Sequence, residues 1–283
     1  MTGEPMAEVV LGLPQPRLRP YVDRYIGYRE RADVPLVRRE VAGAHVVLIL
    51  GWGAPLDVVD PRSAERSAYG VDSFVAGTYD RWCRTRTVGV GAGVELLLAP
   101  PVARRLLGLP LGELTNRAVD VAALPDGWLD GLRQRLAAAS GWPERFALLD
   151  ATLTARLAGS PPVDPRVAWA WRRLAASGGR LGVGSLADEL GWSRRHLAAR
   201  FRQEIGLPPK ITARLLRFQR AYAALTAPAG SPAAGGWAGL AASCGYCDQS
   251  HLIRDFREFA GDTPGALLGV DRSAPAGRRD TEP

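Results

Sequence analysis

The side chains best suited to specific chemistry fall in two short runs near the C-terminus of this 283-residue chain. Ser193, Arg194, Arg195, Ala198, Ala199 and Arg200 follow one glycine turn, and Gln249, Ser250, His251, Ile253 and Arg254 follow another. An arginine fork can pair with O6 and N7 of guanine, and a glutamine amide with N6 and N7 of adenine. Arg195, Arg254 and Gln249 carry the side-chain types that such pairing uses.

The elements that must position them are legible in the local pattern. In SLADELGWSRRHLAARFRQEIG, Leu186 and Leu190 precede Gly191, Ser193 can cap a helix, and Leu197 and Phe201 recur at i, i+4. In GLAASCGYCDQSHLIRDFREFAG, Leu240 precedes Gly245, Asp248 takes the cap position, and Leu252, Phe256 and Phe259 repeat that face. This is a helix-turn-helix pattern written twice. Between the units, Ile211, Leu215, Phe218, Tyr222 and Leu225 predict a third amphipathic helix from Pro209 to Thr226, roughly 27 Å long at about 1.5 Å per residue. That length approaches the roughly 34 Å of one duplex turn, so two recognition helices can enter successive major grooves.

Charge agrees. Residues 1–163 hold 19 basic and 18 acidic side chains, net +1, whereas residues 164–268 hold 14 and 8, net +6. A basic module gains affinity for DNA by releasing counterions from phosphates, and that affinity falls with salt.

Residues of about 165 to 268 resemble the DNA-binding domain of AraC/XylS-type transcription regulators. The resemblance is carried by LADELGWSRRHLAARFRQEIGLPP, RLLRFQRAYAALT and above all CGYCDQSHLIRDFREFAGDTP. It implies one all-α module in which the second helix of each unit docks in the major groove. Carried over by position, it puts Arg194, Arg195, Ala198 and Ala199 on the DNA side of the first recognition helix, and Gln249, Ser250, His251, Ile253 and Arg254 on that of the second. Many relatives carry arginine where this chain has Ala199; here the arginine falls one step later, at Arg200. One residue is about 100° of helix rotation. Arg200 is thus expected at a phosphate rather than at a base.

The N-terminal 160 residues carry a looser version of the resemblance, mainly in LLGLPLGELTN and RFALLDATL. The runs EVAGAHVVLIL, PLDVVD, SFVAGTYD, RTVGVGAG and VELLLAP predict strands of a small antiparallel sheet or cupin-like barrel. PRLRPYVDRYIGYRE reads as a helix or an extended lead-in, and WLDGLRQRLAAASGWPERFALLDATLTARLA as a helical pair broken at Gly141 to Pro143. The expected fold class is α+β, with this sheet and helical pair followed by the all-α reader. The expected divisions are a sensor or dimerisation domain over 1–160, the DNA-binding domain over 161–268 and a disordered tail over 269–283.

Rival chemistries are poorly supplied. The three histidines are His45, His196 and His251. Two of them fall on the predicted recognition helices, so a histidine-rich metal centre is not expected, nor is a cofactor. Gly89, Gly91 and Gly93 form GxGxG without the strand and long helix of a dinucleotide site, and predict a turn. Cys244 and Cys247 form a CxxC that offers a redox-sensing alternative, against the simpler reading of a packed small residue and a residue before a cap. Cys83, between Arg81 and Arg84, offers another, because AraC-like helices are also fused to DNA-repair domains that accept an alkyl group on cysteine. No acceptor motif or partner histidine accompanies it.

Trp52, Tyr69, Phe74, Tyr79 and Trp82 read as core, or as the lining of an apolar effector pocket. The N-terminus shows no signal-peptide pattern and no apolar run approaches membrane length, so a cytoplasmic location is expected. The expected function is non-enzymatic, sequence-specific regulation of transcription. Its expected partners are double-stranded DNA, RNA polymerase, an unidentified small-molecule effector and a second copy in a homodimer.

Overall fold

Alternating side chains build the first half of the molecule. The computed structural model describes residues 6–227, 236–269 and 278–279. Strands β1 (Met6–Gly12), β2 (Val22–Glu40), β3 (Val46–Gly53), β4 (Leu56–Val59), β5 (Ala68–Val71), β6 (Phe74–Ala76), β7 (Cys83–Leu98), β8 (Ala118–Asp120) and β9 (Arg278–Arg279) form one antiparallel sheet. Its main path runs β1-β2-β7-β3-β6-β8, with β4 pairing β5 and β7, and β9 pairing β2. The sheet is open, since its end strands β1 and β8 do not pair with each other.

On β7, Val94, Leu96 and Leu98 point to one face, and on β3, Val46, Leu48 and Leu50 join them. Helices cover that face: α1 (Pro100–Leu107), α2 (Trp128–Ala138) and α3 (Trp142–Gly159) bury Val102 and Leu106, Leu129, Leu132 and Leu136, and Leu149, Leu153 and Leu157. Their i, i+3, i+4 spacing is what lets each helix present one apolar stripe. The rim of α3 presses close to the sheet. A Cβ on Gly27 would meet the Trp142 ring at 2.6 Å, so only glycine admits this approach.

The opposite face folds on itself where β2 is bulged between Ala32 and Leu36. Apolar residues Ile49, Phe74, Tyr79 and Cys83 fill one part of it, and polar residues the other. Arg38 pairs with Glu30, and Thr85 donates to Glu40 at 2.8 Å. Gly89, Gly91 and Gly93 lie inside β7, paired with Ala32, Glu30 and Tyr28, and not in the turn predicted for them. PRLRPYVDRYIGYRE is extended from Val22 onward, and a register shift between Val22 and Tyr25, three positions apart, brings both into the core.

The second half is helical: α4 (Pro165–Ala176), α5 (Val183–Glu189), α6 (Arg194–Ile205), α7 (Pro209–Thr226), α8 (Gly236–Cys244), α9 (Gln249–Ala260) and α10 (Pro264–Gly269). Leu186, Leu197, Phe201, Leu215, Phe218, Leu252, Phe256 and Phe259 share one core. Phe218 of α7 meets Phe256 edge-on at 5.0 Å and lies 5.4 Å from Phe259. Fully burying a phenylalanine contributes about 1.5–3 kcal/mol, so this trio is a main tie between α7 and α9. Of the expected tail, Gly269 closes α10, Arg278 and Arg279 pair with β2, and the remainder lies outside the described residues.

Candidate nucleic-acid interface

Both candidate reading helices begin with a side-chain cap. Ser193 Oγ accepts from the His196 amide at 3.1 Å, and Asp248 Oδ1 accepts from the His251 amide at 2.7 Å. These bonds satisfy amides that the first helical turn leaves without carbonyl partners. Each cap fixes where the helix starts, and with it the direction in which the next residues project.

The caps leave the N-terminal turns open. Ser193, Arg194, Arg195 and Ala199 are exposed and Ala198 is half-buried on α6; Gln249, Ser250 and Arg254 are exposed and His251 and Ile253 half-buried on α9. Among the described residues, no hydrogen bond or ion pair engages the side chains of Arg194, Arg195, Gln249 or Arg254. His196 stacks edge-on against Trp192 at 4.6 Å, and His251 against Tyr246 at 5.7 Å. Each unit therefore repeats an aromatic–histidine contact beside its cap, a feature that the sequence reading did not single out.

The C-terminal ends of the same helices are occupied. Thr115 donates to the Gly206 carbonyl at 2.6 Å and Thr78 to the Ile205 carbonyl at 3.4 Å, while the Ala42 amide donates to the Phe259 carbonyl at 2.8 Å. The sheet half thus grips both helices at the end away from their exposed residues. Gly206 has φ +98°, and a Cβ there would collide with the Thr78 hydroxyl.

Arg200 lies in a different environment from its neighbours, reaching Gln203 at 2.8 Å, Asp164 at 3.4 Å and Glu204 at 3.5 Å. Its partners all belong to the reader half, and its side chain remains 31% exposed. The extra 100° of rotation moves it past the exposed face and onto the flank of α6.

Two buried carboxylates on the reading helices escaped the sequence reading. Asp255 falls on the apolar stripe of α9 between Leu252 and Phe259, and Glu204 on that of α6 after Phe201. A carboxylate at a stripe position needs a partner inside, and that is the signal in the sequence. Asp255 finds Arg214 at 2.6 Å, and Glu204 faces Arg104 at 3.2 Å.

The rival sites resolve differently. Cys83 is buried, and desolvation, followed by the nearby Glu40 and Asp60, pushes its thiol well above the usual range. An alkyl acceptor needs an accessible thiolate, and neither condition holds. Cys244 is buried and Cys247 exposed, as expected for a packed residue and a residue before a cap. His45 is held neutral by burial and meets Trp171 edge-on at 6.1 Å. Among the described residues no group of histidine, cysteine and carboxylate side chains is arranged to hold a metal ion, and no helix is long and apolar enough to cross a membrane. The five aromatics do not line one pocket. Phe74 and Tyr79 are core, Tyr69 is exposed, Trp52 sits in a groove of about 320 Å³ with Trp142, and Trp82 packs on Gly261.

Residues 186–269 match the helix-turn-helix domain family. Among solved structures, the chain is similar to ToxT from Vibrio cholerae O395, at 9% identity and a TM-score of 0.45, covering 94% of this chain and 97% of that one. Unsaturated fatty acid-bound wild-type ToxT from Vibrio cholerae strain SCE256 scores 0.43 at 9% identity, covering 93% and 94%. The AraC-like transcriptional activator CuxR scores 0.30 at 17% identity, covering 77% and 87%. Likenesses this loose transfer neither ligand nor mechanism. No curated protein matches the chain by sequence.

The class defined by the paired units and the family match is that of DNA-binding transcription regulators. The C-terminal domain is an AraC/XylS-type double helix-turn-helix domain.

Proposed function

We propose that the protein binds two successive major-groove segments on one face of a duplex, and that its sheet half sets how the two helices are presented. The single observation that carries this is the shared polarity of α6 and α9: capped, unpaired N-terminal turns outside, and C-terminal ends held by the sheet half. In a helix-turn-helix protein it is the N-terminal part of the second helix that reaches base edges.

In this reading Arg195 and Arg254 read guanine and Gln249 reads adenine. Ser193, Arg194, Ala198, Ala199, Ser250, His251 and Ile253 complete the contact surface, and Arg200 leaves it. Residues 1–160 act as the sensing or dimerising part and 161–268 as the reader, working in the cytoplasm with RNA polymerase as partner. A small-molecule effector or self-association supplies the input.

Selection of bound fragments from a genomic pool under excess competitor, followed by footprinting at two salt concentrations, tests the proposal. Two protected major-groove segments about one turn apart are expected. Protection of one segment alone would remove the second reader. A contact count of six to ten phosphates would lower affinity by about 10³–10⁵ between 50 and 200 mM salt.

A further inference from the structure

A cleft of about 540 Å³ separates α1 of the sheet half from α6 of the reader, within the range of small-molecule sites. Arg104, Arg105, Asp164, Arg166, Arg200 and Glu204 line it, four guanidiniums against two carboxylates. One ion pair spans it, Arg104 to Glu204, and those of Arg200 and Arg166 stay within the reader half; all are long. Arg104 stands 3.2 Å from Glu204, Arg200 is 3.4 Å from Asp164 and 3.5 Å from Glu204, and Arg166 is 3.4 Å from Asp164. Charge-assisted bonds between guanidinium and carboxylate settle near 2.7–2.9 Å, and this chain reaches 2.6 Å between Arg214 and Asp255.

Two further features show unmet demand for an acceptor. Among the described residues Nε of Arg104 is buried without a hydrogen bond, its 3.2 Å approach to Glu204 being an ion pair that lacks hydrogen-bond alignment. Arg105 is held by neutral oxygens only, the Leu157 carbonyl at 2.6 Å and Ser160 Oγ at 3.2 Å, so its charge has no counterion in the cleft. We propose that this cleft binds a small molecule bearing a doubly charged oxyanion, a phosphate monoester or a dicarboxylate, between Arg104, Arg105 and Arg200.

Such an anion competes with Glu204 for Arg104 and Arg200. Occupancy draws Arg104 of α1 away from Glu204 and weakens the ion pair by which the sheet half holds the first recognition helix, while Arg200 turns from Glu204 on its own helix. The binding step stands without reference to DNA. Only this consequence for DNA reading rests on the function proposed above.

Isothermal titration of the full chain without DNA, using inorganic phosphate in one arm and succinate in the other, tests the binding step. One equivalent of heat with either probe is expected, and the arm that gives it identifies the head group. Arg105→Gln should weaken binding about tenfold, and Glu204→Gln, which removes the competing charge, should tighten it several-fold. Arg195→Ala, on the exposed face of α6, should leave it unchanged. Thermal melts of each variant establish folding, and because the two cleft substitutions act in opposite directions, general loosening cannot mimic the pattern. No heat in either arm, loss in Arg195→Ala, or weaker binding in Glu204→Gln would overturn the site.

Discussion

Arg214 on α7 and Asp255 on α9 meet Nη2 to Oδ1 at 2.6 Å, with Asp255 fully buried and Glu258 held by the same guanidinium at 2.6 Å. The arginine also lies 4.8 Å over the Phe259 ring. The connecting helix and the second reading helix are therefore locked by charge where they are already packed by Phe218. Removing Asp255 as Asp255→Ala leaves the largely buried guanidinium to Glu258 alone and should cost about 1.5–3 kcal/mol in urea unfolding. Glu258→Ala leaves Asp255 in place and should cost about 1 kcal/mol or less. Equal losses would show that the pair does not act as described.

The caps make a separate prediction. Ser193→Ala and Asp248→Ala each remove one side-chain bond to a first-turn amide, and each should lower stability by about 0.5–2 kcal/mol. Asp248→Ala should be the more damaging, because a carboxylate at a helix start also favours the dipole. Asp248→Asn keeps the acceptor and should recover most of the loss in thermal melts, which separates the bond from the charge.

Base reading by Arg195 and Arg254 predicts a loss confined to particular sequences. Arg195→Ala or Arg254→Ala should cost about 1–3 kcal/mol on the preferred site and relax preference at one base pair. Competition binding against a panel of single-base variants checks this. Uniform weakening on every sequence would reassign the residue to phosphate. Arg200→Ala should change the panel little, since its side chain is engaged with Asp164 and Glu204.

Glu95 sits on β7 opposite Ile26 and Ile49, without a hydrogen bond or ion pair among the described residues. Burial, with a smaller contribution from Glu40, raises its pKa from 4.5 to about 7. Between those values the native state keeps a proton that the unfolded state has lost, so the contribution of Glu95 to stability falls as pH rises from 4.5 to about 7 and is flat above. The fall should be on the order of 1–3 kcal/mol, and Glu95→Gln should abolish it and stabilise the protein at pH 8. Urea titrations at pH 5 and pH 8 measure it; a variant no more stable than wild type at pH 8 would count against the assignment.

The reading helices were legible because their signals are local. Ser193 before Leu197 and Phe201, and Asp248 before Leu252 and Phe256, fix cap and face within a few residues, and α7 begins at Pro209 and ends at Thr226 as its periodicity requires. The sheet was legible as strands but not in detail. In-strand glycines at 89, 91 and 93 have the composition of a turn, and only pairing with β2 and β3 makes them strand. The aromatics, close in the chain, were separated by the sheet into core, rim and interdomain positions.

By itself, the chain's order of residues determined the double helix-turn-helix, its caps and the types of side chain on the exposed turns, since helix period and capping depend on neighbours within four or five positions. Tertiary structure alone decided that Arg200 meets Asp164, that Cys83 is buried, and that Arg104 and Glu204, a hundred residues apart, face each other across a cleft. Those outcomes depend on which distant segments pack together and on how much water they exclude, and neither is encoded in a local period.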